Sequence, residues 1–273
     1  MPADLHLHTT FSDGRYSPEE LVKAVSERGL TTIAITDHDE IDGIERAIQA
    51  GKKFKVEVIP GVEFSTNLNQ IEVHVLGYFI DYRANWFVEK LREMAKARSQ
   101  RINSITEKLS SLGVKIDPKR VLQIAGHGTA GRPHVAEALV EAGHVQNQRE
   151  AFARYLSLGA PGYVGHYRLS PASAIELIHK VHGLAILAHP GSNGCDQIIP
   201  ELLQEGLDGI EVYYSGHNEA ETMRYLRLAQ KYGLLVTGGS DFHGPGIVRD
   251  VELGSVKIKD GLVERLKKAH EKI

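Results

Sequence analysis

Residues 5–14 read Leu5-His6-Leu7-His8-Thr9-Thr10-Phe11-Ser12-Asp13-Gly14. Leucine alternates with histidine at the period of an extended chain, so His6 and His8 project from the same side. The run then breaks at Ser12-Asp13-Gly14, a turn signal. Working outward, the same arrangement recurs: an apolar run, then a polar group at its end. Thr31 to Thr36 (TTIAIT) predicts a buried strand and is followed by Asp37-His38-Asp39. Val56 to Phe64 predicts a strand carrying Glu63. Ile71 to Ile80 alternates, with Ile71, Val73 and Val75 on one face and His74 on the other. Leu184 to Ala188 leads into His189, and Leu234 to Gly238 leads into Asp241-Phe242-His243. Gly209 to Tyr213 and Val251 to Lys257 complete the expected strands.

Helical signals separate these runs. Ser17-Pro18-Glu19-Glu20 reads as a capping box with proline in the first turn, and Leu21, Val22 and Val25 share one face. Residues 41–52 read as a second helix. Strands alternating with helices predict an α/β fold with a largely parallel sheet or barrel. The pattern changes near residue 84. Phe87, Leu91, Met94, Ile102, Ile105, Leu109 and Leu112 fall at helical spacing, and helical signals continue to about 158. The expected division is a barrel from 1–85 and 166–273, with 86–165 inserted as a helical cap.

Composition sets the outer bounds. The 273 residues include 32 Lys and Arg against 35 Asp and Glu, 14 His and a single Cys, for a net charge of −3. That balance argues against a broad phosphate-neutralising surface. One cysteine excludes a disulfide framework and a four-cysteine zinc site. With no apolar run near 18 residues and no basic, apolar leader pattern, a cytoplasmic protein without membrane association is expected. The histidine content is the feature that needs a reason.

Nine ligand-competent residues sit at or just beyond predicted strand ends, within short motifs: His6, His8, Asp13, His38, Glu63, His74, His189, Asp241 and His243. A lone histidine at such a place is ordinarily a hydrogen-bonded residue, and an acid beside glycine is ordinarily a turn residue. The set is different, because the strand ends of a parallel barrel converge on one face. Nine imidazoles and carboxylates exceed what one tetrahedral ion needs, and predict two or three clustered divalent ions. Mixed nitrogen and oxygen ligation fits manganese, iron or zinc better than calcium or magnesium. Asp37 and Asp39, flanking His38, read equally as acids that orient an imidazole or as solvated loop residues.

The ordered motifs HxH, SDG, TDH, GxE, His74, AHP and DxH resemble those of the PHP (polymerase and histidinol phosphatase) superfamily of metal-dependent phosphoesterases. Thr-Ala-Gly-Arg-Pro-His134, Tyr-Tyr-Ser-Gly-His217 and Gly-Gly-Ser-Asp-Phe-His243 resemble signatures of its TrpH-like nucleotide and oligonucleotide branch. The resemblance spans essentially the whole chain. It implies a distorted (β/α)7 barrel, the PHP fold, with a helical insertion. It also implies three ligand sets: His6, His8, Glu63 and Asp241; bridging Glu63 with His74 and His189; and Asp13, His38 and His243. The position of His189 alternates between His and Cys in that superfamily, while Cys195 reads as a bystander.

The expected reaction is hydrolysis of a phosphate ester by in-line attack of a metal-bridging hydroxide, without a phosphoenzyme. Such a site attracts anions through its ions and needs no basic surface. Arg132 is expected near a helix N-terminus beginning with Pro133, where backbone N–H groups and a guanidinium both favour phosphate. Besides the ligand Asp241, Arg132 and His134 are the expected catalytic residues, with Arg132, His134 and His217 contacting substrate. His166 and Arg168 could approach it from the end of the insertion. His127, His144, His179, His182 and His270 have no motif support. Tyr163, Tyr213 and Tyr214 are more simply packed than stacked on a base, and the Arg- and Lys-rich 86–112 helix reads as a solvated face. By resemblance the substrates are 3′,5′-bisphosphonucleotides, nucleoside monophosphates or the 5′ ends of short RNA or DNA single strands, with no obligate protein partner. The alternatives are a histidinol-phosphate phosphatase and, outside enzymes, a metal-binding accessory module.

Overall fold

The computed structural model describes residues 2–69, 71–126, 130–165, 169–192, 194–246 and 251–273. His127, His166 and Arg168 lie outside the described residues, as does the Cys195 side chain. The elements run β1 (Ala3–Asp4), α1 (Pro18–Glu27), β2 (Thr32–Ile35), α2 (Ile44–Phe54), β3 (Glu57–Leu68) and β4 (Ile71–Tyr78). Then follow α3 (Asn85–Ser111), α4 (Pro118–Ala125), α5 (Arg132–Glu141), α6 (Gln148–Ala151) and a π-helix (Phe152–Leu156). The chain returns to the barrel with α7 (Pro171–Lys180), β5 (Leu184–Leu187), α8 (Ile199–Gln204), β6 (Gly209–Tyr214), α9 (Glu219–Tyr232), β7 (Leu235–Gly239) and α10 (Asp260–His270).

The seven strands pair in chain order. Bonds between residues 5–8 and 238–242 carry the sheet round: Leu5 N donates to Gly238 O (3.2 Å), Asp241 N to His6 O (2.9 Å) and His8 N to Phe242 O (3.1 Å). The result is the expected barrel, with two departures. β4 runs antiparallel to both β3 and β5, so the sheet is mixed. Only residues 69 and 70 separate β3 from β4, a connection that makes a hairpin and is too short for a parallel crossover. Val251 to Lys257 is not a strand: Gly254 takes a left-handed φ of 74° within a turn, and only Ile258 bridges back to Ala3.

Alternation divides the side chains of each strand between two layers. Ile59, Leu76, Tyr78, Leu184 and Ile186 fill an inner cluster. Val62, Phe64, Val73, Val75, Leu187 and Ile210 pack outward against the helices. On β4 the inner row continues from Tyr78 and Leu76 to His74 and Glu72, so polar groups stand above an apolar floor. α1 forms as the sequence predicts: Ser17 Oγ accepts from Glu20 N, the Glu20 carboxylate accepts from Ser17 N, and Leu21, Val22 and Val25 are buried.

α3 belongs to two cores. Phe87, Leu91 and Met94 join the barrel packing, whereas Ile102, Ile105 and Leu109 pack with Val121, Val135, Leu139 and Leu156. Among the described residues, no helix is long and apolar enough to cross a membrane.

Candidate metal centre

The nine residues converge. Glu63 lies at the middle of β3, fully buried, and five imidazoles reach its two oxygens. His74 Nδ1 and His189 Nε2 lie 2.8 and 3.0 Å from Oε1. His6 Nε2, His8 Nε2 and His38 Nδ1 lie 3.1, 3.2 and 3.2 Å from Oε2. Asp241 Oδ1 completes the first expected set, 3.4 Å from His6 Nε2 and 3.2 Å from His8 Nε2. Asp13 Oδ1 lies 3.2 Å from His243 Nε2, and Asp13 Oδ2 lies 4.0 Å from His38 Nε2.

The geometry fits divalent ions. Two ligands each about 2.1 Å from one ion stand about 3.0–3.4 Å apart at octahedral or tetrahedral angles. His6 Nε2, His8 Nε2, Asp13 Oδ1, Glu63 Oε2 and His189 Nδ1 are buried atoms without a hydrogen-bond partner. Each such orphan costs about 1–3 kcal/mol unless something else satisfies it. Among the described residues, three groups of donors lie close enough to hold an ion: His6, His8, Glu63 and Asp241; His38, Glu63 and His74; and His8, Asp13, His38 and His243. The first reproduces an expected set. The others differ in detail, because His38 turns one ring nitrogen to Glu63 and the other to Asp13, while His189, 3.0 Å from Glu63 and packed against the His6 and His74 rings, falls in none of the three groups.

Electrostatics point the same way. Burial opposes charge throughout, yet the surrounding imidazoles hold Glu63 and Asp13 well below the usual carboxylate range. In return, burial is outweighed at His74 by Glu63, and at His243 by Asp13 and Asp241; both are pushed up to about 10. His38, with burial dominant, falls to about 3. A cation competes with those protons for the same lone pairs. His189 and Asp241 also adopt φ of 26° and 57°, left-handed values unusual for such residues. Strain of this kind persists where the surroundings over-determine it, typically at functional sites.

Several supporting residues escaped the sequence reading. Glu211, fully buried on β6, sets Oε1 3.0 Å from His6 Nδ1 and accepts from His189 N at Oε2 (2.8 Å). Its signal was a single charge in the apolar run Gly209 to Tyr213. Buried Asp4 accepts from Ser240 N and Oγ (2.9 and 2.6 Å), steadying the residue before Asp241. Tyr214 Oη donates to Asp241 Oδ2 at 3.0 Å. Asp37 is not a solvated acid: it accepts from Thr9 N, Thr9 Oγ1 and Ser12 Oγ at 2.6–2.7 Å, bracing the loop that carries Asp13. Asp39 is also buried and pairs with Arg98, which donates to Ser65 Oγ (2.7 Å) as well. Arg98 and Arg101 correct the expectation of a solvated 86–112 helix: each is 8 % exposed.

A cavity of about 590 Å³ opens over the cluster, with Glu63, His74 and Asp241 on one side and Arg132, Phe152 and Tyr163 on the other. A recess of about 100 Å³ beside it is walled by Arg98, Arg101, Arg132, Ser65 and Glu72. Arg132 is the first residue of α5, pairs with Glu72, donates to Leu156 O (3.3 Å) and lies 5.7 Å from the Tyr163 ring centre. Burial, with Arg132 nearby, lowers Arg101 to about 10. His134 Nδ1 accepts from Gly131 N (3.0 Å), and its ring lines a second cavity next door. His217 is held by two hydrogen bonds through its ring. Its Nδ1 donates to Val212 O (2.9 Å) and its Nε2 accepts from Gly191 N (3.2 Å), so the ring ties the 190–192 turn to β6.

A barrel that gathers imidazoles and carboxylates at one end, under a cavity edged with arginine, defines a metal-dependent phosphoesterase. The chain belongs to the PHP domain family, whose model matches residues 4–155. It is 34% identical to a 5′-3′ exoribonuclease of Haemophilus influenzae over 89% of this chain and 90% of that one. It is 30% identical to a 3′,5′-nucleoside bisphosphate phosphatase of Chromobacterium violaceum, over 89% of this chain and 87% of that one. A solved Bifidobacterium adolescentis protein, described as a candidate metal-dependent phosphoesterase, superposes with a TM-score of 0.88 at 31% identity, covering 97% of this chain and 94% of that one. The protein is a hydrolase of phosphate esters.

Proposed function

We propose that the substrate is a 5′-phosphorylated nucleotide carrying a phosphate ester at its 3′ position: a 3′,5′-bisphosphonucleotide, or the first nucleotide of a short single-stranded RNA or DNA. The observation that carries this reading is the recess beside the nine-residue cluster, walled by Arg98, Arg101 and Arg132 together with Glu72 and the cluster's own Asp13. One phosphate anchored there places a second over the cluster. The names of the two relatives support it, since a 3′,5′-bisphosphate phosphatase and a 5′-3′ exoribonuclease share that chemistry if both act at the 3′ phosphorus. Water oxygen bonds to phosphorus, the P–O3′ bond breaks, and O3′ departs with a proton.

In this reading two to three divalent ions, manganese, iron or zinc, are held by His6, His8, Glu63 and Asp241, by Glu63 with His74 and His189, and by Asp13, His38 and His243. When bound they supply Lewis acidity toward phosphoryl oxygens and acidify water. Arg132, with Arg98 and Arg101, orients the anchored phosphate. Phe152 and Tyr163 flank the nucleoside. Glu211, Asp37 and Tyr214 hold ligands in place. His134 stands at the α5 N-terminus beside the reacting phosphate, and His217 has a structural task. Residues 86–165 act as a cap that admits single strands and mononucleotides. A cytoplasmic location fits such substrates.

The test is phosphate or nucleotide release from adenosine 3′,5′-bisphosphate, a 5′-phosphorylated oligonucleotide and histidinol phosphate, alongside elemental analysis of the purified protein. Turnover of the first two with bound divalent metal is expected. Turnover of histidinol phosphate alone would overturn the substrate assignment.

A further inference from the structure

Beside the cluster lies a further cavity that the proposed substrate does not occupy. About 320 Å³ in volume, it lies between the loop that carries Asp13 and the start of α5, with Phe11, Arg46, Ile124 and Gln148 on its walls. Asp13 and Pro133 line both this cavity and the larger one over the cluster. The two spaces therefore share a wall at one of the proposed metal ligands, Asp13.

Its chemistry suits a base better than a second phosphate. Both arginines on its wall are committed to carboxylates. Arg15 makes a two-pronged pair with Glu137 (3.2 and 2.5 Å), and Arg46 makes one with Glu19 (2.8 and 3.0 Å). Beside Ser12, Asp13 and His134 the wall offers an aromatic surface, Phe11, with the Arg46 guanidinium 5.4 Å from its ring centre. Gln148 adds a side-chain amide to the same wall. An amide both donates and accepts, and every nucleobase offers an N–H. Aromatic side chains stack bases regardless of sequence. The volume falls at the small end of ligand sites, about 300–1,000 Å³, so it takes one nucleoside and not several.

We infer that this cavity is the subsite for the nucleoside on the far side of the scissile phosphate, the second residue of an oligonucleotide. This rests on the proposed reading and sharpens it: the site is built to cut internucleotide diesters, and the bisphosphonucleotide occupies only half of it. In the diester reaction the P–O3′ bond breaks and the phosphate stays on the 5′ oxygen of the second nucleoside. The first nucleotide leaves with a free 3′-OH.

The experiment compares wild type, Phe11→Ala and Gln148→Leu in the metal-loaded protein on adenosine 3′,5′-bisphosphate and on a 5′-phosphorylated dinucleotide with the same first nucleoside. For both variants KM for the dinucleotide should rise roughly tenfold, within what loss of a base–aromatic stack produces. KM and kcat for the bisphosphonucleotide should stay within about twofold. In parallel, anisotropy of a 3′-labelled trinucleotide on chelator-treated protein should show a matching loss of affinity. Equal losses on both substrates, or no loss on either, overturn the subsite. A wild type that hydrolyses neither nucleotide overturns the underlying reading first, and is seen without any variant.

Discussion

Glu211 Oε1 sits 3.0 Å from His6 Nδ1 with both side chains fully buried, while Oε2 of the same carboxylate accepts the backbone N–H of His189. One acid on β6 thus fixes two members of the cluster contributed by different strands. It fixes the ring of His6 so that Nε2 faces Glu63 and Asp241. Partners of this kind typically tune metal affinity by about 10–100-fold. Glu211→Ala should lower affinity by that order, read by metal titration against a competing chelator. Glu211→Gln should recover part of it, because an amide still accepts from His6 but meets the His189 N–H less well. Unchanged affinity in Glu211→Ala would show that His6 is held by packing alone.

Glu63 is touched by imidazoles at both oxygens, so its loss should remove more than one ligand. Glu63→Ala should lose bound metal by elemental analysis and at least about 1,000-fold in activity. In wild type, chelation should abolish turnover and lower Tm, since an ion bound only by the folded state adds about 2.7 kcal/mol at a hundred times its Kd. Re-addition of Mn2+ should restore both. Calorimetry of Glu63→Ala should show little response to either treatment.

The nine candidate ligands were legible because each lies within or shortly after an apolar run, in a short motif of its own. Glu72 was legible by the same logic, two residues before His74 on the same face of β4, yet it drew no attention beside a histidine. Arg98 and Arg101 were not legible. Helical periodicity separates the apolar face of α3 from the rest, but it does not say that the other face meets the barrel mouth and not solvent. That depends on α3 straddling two cores, a tertiary fact. The antiparallel pairing of β3 with β4 was hidden because the strand expected to end at Phe64 runs on to Leu68. The misread 251–257 run shows the reverse case, where β-branched residues around Gly254 make a turn because only Ile258 finds a strand partner.

Arg132 joins α5 to the cavity and pairs with Glu72. A charge-assisted contact to substrate contributes about 1.5–3 kcal/mol, so Arg132→Ala should raise KM roughly ten- to a hundredfold with metal content unchanged. Arg132→Lys should restore little, since a point charge does not reproduce a planar fork. Loss of metal in Arg132→Ala would instead show that freeing Glu72 disturbs His74, which lies 3.3 Å from it.

Far from the cluster, His179 Nε2 on α7 donates to Asp208 Oδ2 at 2.9 Å, and the same oxygen accepts from Ala185 N at 2.7 Å. This hydrogen bond, outweighing burial, raises the His179 pKa above its ordinary 6.5. A histidine whose pKa is raised on folding binds its proton more tightly in the native state. Its contribution is therefore fully present below about pH 6.5 and is lost as pH rises through the folded pKa. The His179 side chain is 36 % exposed, so the pair is screened and contributes no more than about 1 kcal/mol. His179→Gln should lie about 1–3 °C below wild type in Tm at pH 6, and the gap should close by pH 9. NMR titration should place His179 above 6.5 in wild type and return it toward that value in Asp208→Asn. A Tm gap that widens with rising pH would reverse the sign of the linkage and refute the pairing.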